Sequence, residues 1–439
     1  MKEKTVAFHT LGCKLNFAET GTIARDFIER GYKIVDFSAL ADVYVVHTCT
    51  VTSVAEKKCR TAISQAVRRN PDAQVAVIGC YAQLRATDIQ RIEGVKVVLD
   101  NQEKYRLAEI IDSNTEIITT YLPCHHPEAE TSGISSPDSF HLSWSGDDRT
   151  RTFLKIQDGC NHFCSYCAIP FARGRSRSAA ASEIVETIGA IFSGGMKEIV
   201  LTGVNIGDFG KPMGESLYDL LYLIEKQGFI GRIRISSIEP ELLTDDIIDL
   251  VATSRVFLPH FHLPLQSGSD DVLKAMRRKY DTTLFAGRVE AIRRRMPAAC
   301  IAADVIVGFP GETDEHFASA YRFIESLSIS YLHVFSYSER PGTSAINIEG
   351  KVSPAIKQHR SKELHLLSEN RLESFYNDNI GRQEEVLFES ANQKGYMEGF
   401  TRNYLRVKTI FNEAFINHVV KVDLNARHQD GAFLFNTQL

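Results

Sequence analysis

A chain of 439 residues, 44% hydrophobic and 24% charged, has room for roughly two to four domains with ordinary cores. Its net charge of −5 and pI near 6.3 exclude a protein that binds nucleic acid through its overall field, so any RNA contact has to rest on local basic patches. Nine cysteines are too sparse for a secreted disulfide scaffold, and neither an apolar leader after "MKEK" nor an apolar run of bilayer length is seen; a cytoplasmic protein with metal or redox chemistry and no membrane partner is expected.

Between residue 4 and about 112, the β-branched runs "TVAFHT", "VYVVHT", "VAVIG" and "VKVVLD" read as buried parallel strands. Helical spacing fills the gaps, as in "FAETGTIARDFIERG" and "VAEKKCRTAISQAVRRN", which predicts a small doubly wound sheet of four β/α units. Cys13, Cys49 and Cys80 each fall immediately after one of the first three strands. In a parallel sheet those ends share one edge, so the three thiolates can converge there.

Residues 121–147, rich in Pro, Ser, Gly and His, read as a linker. A second β/α series then begins with "TFLKIQD", "EIVLTG", "RIRISS", "HFHLPLQ", "AADVIVGF" and "YLHVFSYS". Six such units predict a partial (β/α)6 TIM-type barrel, closed by a helix near 354–376. Residues 377–439 alternate short strands with turn signals, as in a small all-β barrel. The expected organisation is therefore α/β multidomain: 1–120, a linker at 121–147, 148–376 and 377–439.

The densest chemistry is "DGCNHFCSYC", which sets Cys160, Cys164 and Cys167 at the C-terminal end of the first barrel strand. A structural zinc site wants four ligands, and His162 is the one nearby candidate for a fourth; a three-thiolate [4Fe–4S] cluster instead leaves one iron open to a substrate. Cys59, Cys124 and Cys300 fit neither triad and read as structural.

The pattern C-x3-C-x-Φ-C, with Tyr166 before the last cysteine, resembles the radical S-adenosylmethionine (radical SAM) superfamily. With two cysteine triads and a terminal β-barrel, essentially the whole chain resembles the methylthiotransferases within it. The motifs that carry this are "LGCKLN", "TCTVTSVAEKKCR", "GCYAQ", "GCNHFCSYCAIPFARGRSRS", "LTGVNIGDFG", "LPLQSGSDDVLKAMRRKY" and "DVIVGFPGET"; the C-terminal unit resembles the RNA-binding TRAM barrel. "LGCKLN" and "TCTVTSVAEKK" look most like the MtaB branch, whose members methylthiolate N6-threonylcarbamoyladenosine beside the tRNA anticodon. One departure is His47, where the family pattern has asparagine two residues before Cys49.

The resemblance implies two [4Fe–4S] clusters, one on Cys160, Cys164 and Cys167 and an auxiliary one on Cys13, Cys49 and Cys80. It implies SAM used twice, as methyl donor and as source of the 5′-deoxyadenosyl radical that takes hydrogen from C2 of the adenine. The expected partners are a tRNA anticodon stem-loop, a low-potential flavodoxin- or ferredoxin-like electron donor, and a sulfur source. Strand-end groups placed to hold SAM are Tyr166, Thr202, Gly203, Asn205, Ser236, Ser237, Glu239 and Gln266, with Gly203 and Gly308 allowing close backbone approach. Expected RNA contacts are Arg173, Arg175 and Arg177 beside the loop, Arg277–Lys279, Arg340, and Phe400, Arg402, Tyr404, Arg406 and Lys408 in the β-barrel. The rival readings are the same chemistry on isopentenyladenosine tRNA or on a ribosomal-protein aspartate, and a non-catalytic zinc-containing RNA-binding protein.

Overall fold

The computed structural model describes residues 3–113, 140–146, 150–390 and 394–435, so most of the expected linker and Cys124 lie outside the described residues. The first unit is a parallel sheet of β1 (Thr5–Thr10), β2 (Lys33–Val35), β3 (Val43–Thr48), β4 (Gln74–Gly79) and β5 (Val95–Val98), in the order β2-β1-β3-β4-β5. Four of these strands are the predicted ones. The exposed edge strand β2 escaped notice because three residues are too short to show a period. Apolar side chains leave both faces, one core gathering Tyr44, Val46 and Val77, the other Val43, Val45 and Ile78. The strand order reverses between β1 and β3, and open α/β sheets bind ligands at that crevice. Cys13 and Cys49 flank it.

In the central unit, β6 (Ser143–Trp144) adds an antiparallel edge to β7 (Arg151–Lys155). After the short pair β8 (Gln157–Asp158) and β9 (Arg177–Ser178) come β10 (Glu198–Thr202), β11 (Arg232–Ile235), β12 (His260–Gln266), β13 (Cys300–Val307) and β14 (Tyr331–Ser336). Two parallel ladders, β11-β10-β7 and β12-β13-β14, meet at the Ile233–Phe257 bridge and complete the six-stranded open barrel. Alternate residues such as Leu154, Leu201, Ile233, Leu263, Val305 and Leu332 pack outward under the helices. The opposite, inward face is polar, with Lys155, Glu198, Arg234, His262, Asp304 and His333, where a closed TIM barrel is filled with branched apolar side chains.

Helix α1 (Lys14–Glu29) of the first unit lies across the barrel edge. Its Gly21 permits this, because a Cβ there would come within 2.6 Å of the Trp144 carbonyl. Arg25 stacks over the Trp144 ring at 4.1 Å. The Cys13 end of α1 is thereby delivered to the barrel mouth.

The C-terminal sheet has the order β18-β15-β16-β17-β20-β19, formed by β15 (Gln383–Phe388), β16 (Tyr396–Thr401), β17 (Arg406–Ile410), β18 (Val419–Asp423), β19 (Ala426–Arg427) and β20 (Phe433–Leu434). It seats against the N-terminal strand ends of the barrel. Arg232 donates to the Phe400 and Glu385 carbonyls, and Arg234 to those of Thr401 and Arg402. Phe400 and Tyr404 stack on each other at 4.8 Å, with Arg151 over both rings and the His260 ring 4.6 Å from Tyr404. Arg402 reaches the Arg255 and Phe257 carbonyls. Phe400, Arg402 and Tyr404, expected as an RNA platform, are half-buried and engaged through these contacts by the barrel floor. Arg406 and Lys408 are likewise paired, with Glu398 and Asp430. Replacing Tyr404 with Ala removes the stack and two cation–π contacts, and should lower stability by about 2–4 kcal/mol in chemical denaturation.

Candidate active site

The loop after β7 turns at Gly159, whose left-handed backbone (φ +70°) lies so close to the Arg175 carbonyl that a Cβ would sit 2.0 Å from it. Cys160, Cys164 and Cys167 follow, and the helix Ile169–Arg173 starts after Cys167. The His162 amide donates to Cys160 Sγ at 3.4 Å, and Arg278 donates to Cys164 Sγ at 3.0 Å. Burial pushes the Cys160 thiol up to about 12 and raises Cys164 and Cys167. As free thiols they are inert, so the pocket suits thiolates neutralised by a metal centre.

On the first sheet, Gly12 is required for a different contact: a Cβ there would lie 2.7 Å from Cys49 Cβ. Burial pushes the Cys49 thiol up to about 12, with the Cys80 and Cys13 sulfurs adding to the rise, and raises Cys80 as well. Cys59, unassigned from sequence, supports this triad by accepting the Cys49 amide at 3.4 Å. Cys300 opens β13 and packs in the C-terminal core.

Single zinc coordination, with Zn–S near 2.3 Å, would bring sulfurs to about 3.8 Å from one another. Among the described residues, the groups with three ligand atoms mutually within 4.8 Å are His262/Asp304/His333 and His162/Glu239/Glu241; neither cysteine triad is that tight. Neither triad is therefore gathered about a single ion. His162 is directed away from the sulfurs, its Nε2 3.1 Å from Asn205 Nδ2 and its Nδ1 3.6 Å from Glu241. Burial lowers its pKa to about 4, so it serves as a neutral hydrogen-bonding group.

Between the triads lies a buried charge network. Arg173, 2% exposed, donates to Cys80 Sγ at 3.2 Å, Asn16 Oδ1 at 2.8 Å, both Glu19 oxygens at 3.0 Å and Asp158 Oδ1 at 3.0 Å. Glu19, fully buried, also meets Lys104 at 2.7 Å and Lys155 at 3.1 Å. These cations outweigh desolvation and hold its carboxyl well below the usual range. His47 bonds Thr20 at 2.9 Å and lies 3.5 Å from Glu19; burial keeps it neutral. The departure from asparagine therefore joins the network and leaves the thiol set unaltered.

This corrects several expected RNA contacts. Arg173 is internal, and Arg177 is bound to Asp158 at 3.0 Å and to the Arg173 carbonyl at 2.7 Å. Arg175, half-buried over the Phe163 ring at 5.7 Å, is not among those corrected. Arg340, 6% exposed, is held by Glu56 at 2.7 Å and the Thr50 carbonyl, so it anchors the loop after Cys49. Arg278, read as surface, is buried against Cys164, Tyr166 OH and Glu239. Periodicity alone does not separate such internal arginines from solvated ones.

The strand-end groups expected at SAM mostly line the barrel mouth. Tyr166 packs edge-on to Phe309; Thr202 and Asn205 are buried at the end of β10, and Ser236, Ser237 and Glu239 follow β11. Gln266 ends β12 in a left-handed conformation. Asn205 Oδ1, Ser236 Oγ and both Glu241 oxygens are buried without hydrogen-bond partners among the described residues. Such orphans mark where a polar ligand belongs, and Glu241 was missed from sequence because "EPE" carries no periodic signal. Burial raises Glu239 to about 7 despite Arg278. The missing side chains of Gly203 and Gly308 leave room for Gln157 and Lys357.

An open (β/α)6 barrel with a three-cysteine loop after its first strand and orphaned polar groups at its mouth defines a radical SAM protein. Residues 154–324 match the model of the radical SAM superfamily, and residues 5–100 that of the uncharacterized protein family UPF0004. Threonylcarbamoyladenosine tRNA methylthiotransferase MtaB of Bacillus subtilis (strain 168) is 39% identical over 434 residues, spanning 96% of this chain and 93% of the relative. The Aquifex aeolicus protein of that name is 36% identical (92% and 96% covered), and a tRNA-2-methylthio-N(6)-dimethylallyladenosine synthase of Methylacidiphilum infernorum is 31% identical (98% and 91%). The fold also resembles the radical SAM methyltransferase TsrM of Kitasatospora setae, with TM-score 0.58, 15% identity, and 79% and 74% of the two chains covered. The chain belongs to the MtaB family of radical SAM methylthiotransferases. That membership implies a [4Fe–4S] cluster and SAM. Among the described residues, no helix is long and apolar enough to cross a membrane.

Proposed function

We propose that this protein adds a methylthio group to C2 of N6-threonylcarbamoyladenosine-37 in tRNA. Near-full-length identity of 32–39% to five relatives bearing the MtaB name carries the reading, against 31% for the dimethylallyladenosine synthases. Cys160, Cys164 and Cys167 are assigned to one [4Fe–4S] cluster, and Cys13, Cys49 and Cys80 to a second. When bound, these clusters and SAM supply a 5′-deoxyadenosyl radical on one side and a methylthio group on the other. An aromatic C2–H has no useful acidity, so no side-chain base could replace that chemistry.

The chain's own residues fix the arrangement. Arg278 clamps Cys164, Tyr166 and Glu239 together; Asn205 Oδ1 and the Glu241 oxygens are free to accept from the amino and ribose hydroxyl groups of SAM, and the Ser236 hydroxyl is free to donate to its carboxylate. The floor, seated against the C-terminal sheet, excludes water from beneath. The Arg277 and Lys279 side chains are exposed, without hydrogen bonds or ion pairs among the described residues, beside the Met276 carbonyl that accepts the Ser165 amide. They are the RNA-facing cations we favour. We further assign residues 1–120 to the auxiliary cluster, 148–376 to SAM and 377–439 to a TRAM-like unit, and expect a low-potential electron donor and a separate sulfur source.

The test is nucleoside mass spectrometry on threonylcarbamoyl-modified tRNA incubated anaerobically with reconstituted protein, SAM and reductant. A methylthio product that requires the threonylcarbamoyl group supports the reading. 5′-Deoxyadenosine without that product redirects it to isopentenyl or protein substrates.

A further inference from the structure

The inward face of β12–β14 carries polar groups that neither cysteine triad engages. His262, Asp304 and His333 stand on three adjacent strands, with Asp304 directly opposite His333 in the ladder. One ligand atom from each lies within 4.8 Å of the other two; His262 Nε2 is 2.7 Å from Asp304 Oδ1, and the two imidazoles are 5.1 Å apart. Toward the barrel floor, His260 is 8% exposed, yet neither ring nitrogen has a hydrogen-bond partner among the described residues.

Lys14, the first residue of α1 and the neighbour of Cys13, comes from the other unit and has inward-facing barrel residues as its charged neighbours. It is exposed, although Leu15 and Asn16 beside it are 3% and 1% exposed, and it makes no hydrogen bond or ion pair among the described residues. The charges it faces are Arg151 and Arg234, which repel it, and Asp304, which attracts it. Arg151 and Arg234 already have carboxylate partners in Glu389 and Glu198. Glu389 and Glu198 thus offset the two arginines, and Asp304 is engaged by His262 at 2.7 Å, so Lys14 stands as a cation without an ion-pair partner among the described residues that the carboxylate of a ligand can meet.

We propose that this face is the subsite for the substituent on N6 of the target base. Lys14 pairs with its carboxylate, and the His262–Asp304 pair with His333 hydrogen-bonds its hydroxyl and carbamoyl groups. The proposal deepens, and rests on, the substrate reading given above, since a threonylcarbamoyl group carries these functions and an isopentenyl group carries none. The placement is geometrically consistent. On the same face of β14, Phe335 is 46% exposed two residues closer to the C-terminal strand ends, about 7 Å along the strand. C2 and the N6 substituent of adenine point in divergent directions. A base resting by Phe335 with C2 toward the Cys160 loop sends its substituent down toward His333 and Asp304.

The experiment compares three anticodon stem-loops, carrying threonylcarbamoyladenosine, its carboxyl methyl ester or plain adenosine at the target position. Binding and steady-state kinetics are measured anaerobically with reconstituted wild type, Lys14→Met and Lys14→Arg. Wild type should bind the acid roughly 10–100-fold more tightly than the ester. Lys14→Met should erase that difference by weakening the acid alone, seen as a rise in KM larger than any fall in kcat, and Lys14→Arg should restore most of it. Equal weakening of acid and ester by Lys14→Met, or no acid–ester difference in wild type, overturns the subsite. If wild type forms methylthio product yet ignores esterification, only the subsite falls. If it forms no product from the threonylcarbamoyl stem-loop, the substrate reading falls and takes the subsite with it.

Discussion

Arg173→Met should destabilise the protein by about 3–5 kcal/mol in chemical denaturation and cut methylthiolation at least about 100-fold. The guanidinium is 1% exposed and satisfies Glu19, Asp158, Asn16 and the Cys80 sulfur at once. Methionine fills much of the volume but leaves those acceptors facing each other without their cation. Removing one partner of a buried ionic set is far costlier than the net worth of the set, because the remaining charges stay desolvated. Lys155 and Lys104 still reach Glu19, which limits the loss. Lysine at position 173 keeps the charge but lacks the planar fork that reaches four partners, so Arg173→Lys should recover stability only in part. Because Arg173 follows Cys167 by six residues and bonds Cys80 of the other triad, its loss should also alter the electron paramagnetic resonance signature of the reduced auxiliary cluster. An unchanged spectrum with full activity would mean that the network is mere packing.

The cysteines were legible in sequence because their spacing and strand-end positions are local signals. Cys160-x3-Cys164-x2-Cys167 needs no partner to be recognised, and Cys13, Cys49 and Cys80 were found by counting from each strand. The arginines were not legible. Arg173, Arg278 and Arg340 read as surface charge, since nothing local distinguishes an arginine that meets Glu19, 154 positions away, from one that meets solvent. The contacts of Phe400 and Tyr404 were not legible for a related reason: an aromatic pair interleaved with arginines has the same pattern whether it stacks on bases or on Arg151 and Arg234. Long-range pairing decided both cases. Lys14 shows the reverse, a residue lying inside a quoted motif whose significance emerges only when the barrel lumen around it is seen.

Cys49→Ala should abolish methylthiolation, leave 5′-deoxyadenosine formation intact, and lower iron from about eight to about four atoms per chain. Cys49 hangs from β3, whose core is built within the first sheet, whereas the Cys160 loop hangs from β7 and is fixed by Arg278, which donates to Cys164 and Tyr166, and by the Ala275 carbonyl, which accepts from Ser165. Losing one small buried side chain on the first sheet removes a ligand without disturbing the other support. The reciprocal change, Cys164→Ala, should lose both products, because the radical has to precede transfer. Iron content reports the two sites independently of turnover, so a misfolded variant is distinguishable from a selectively emptied one. Equal loss of both products in Cys49→Ala, with about four irons retained, would mean that the Arg173 network couples the centres so tightly that neither works alone; persistence of both would remove Cys49 from the auxiliary set.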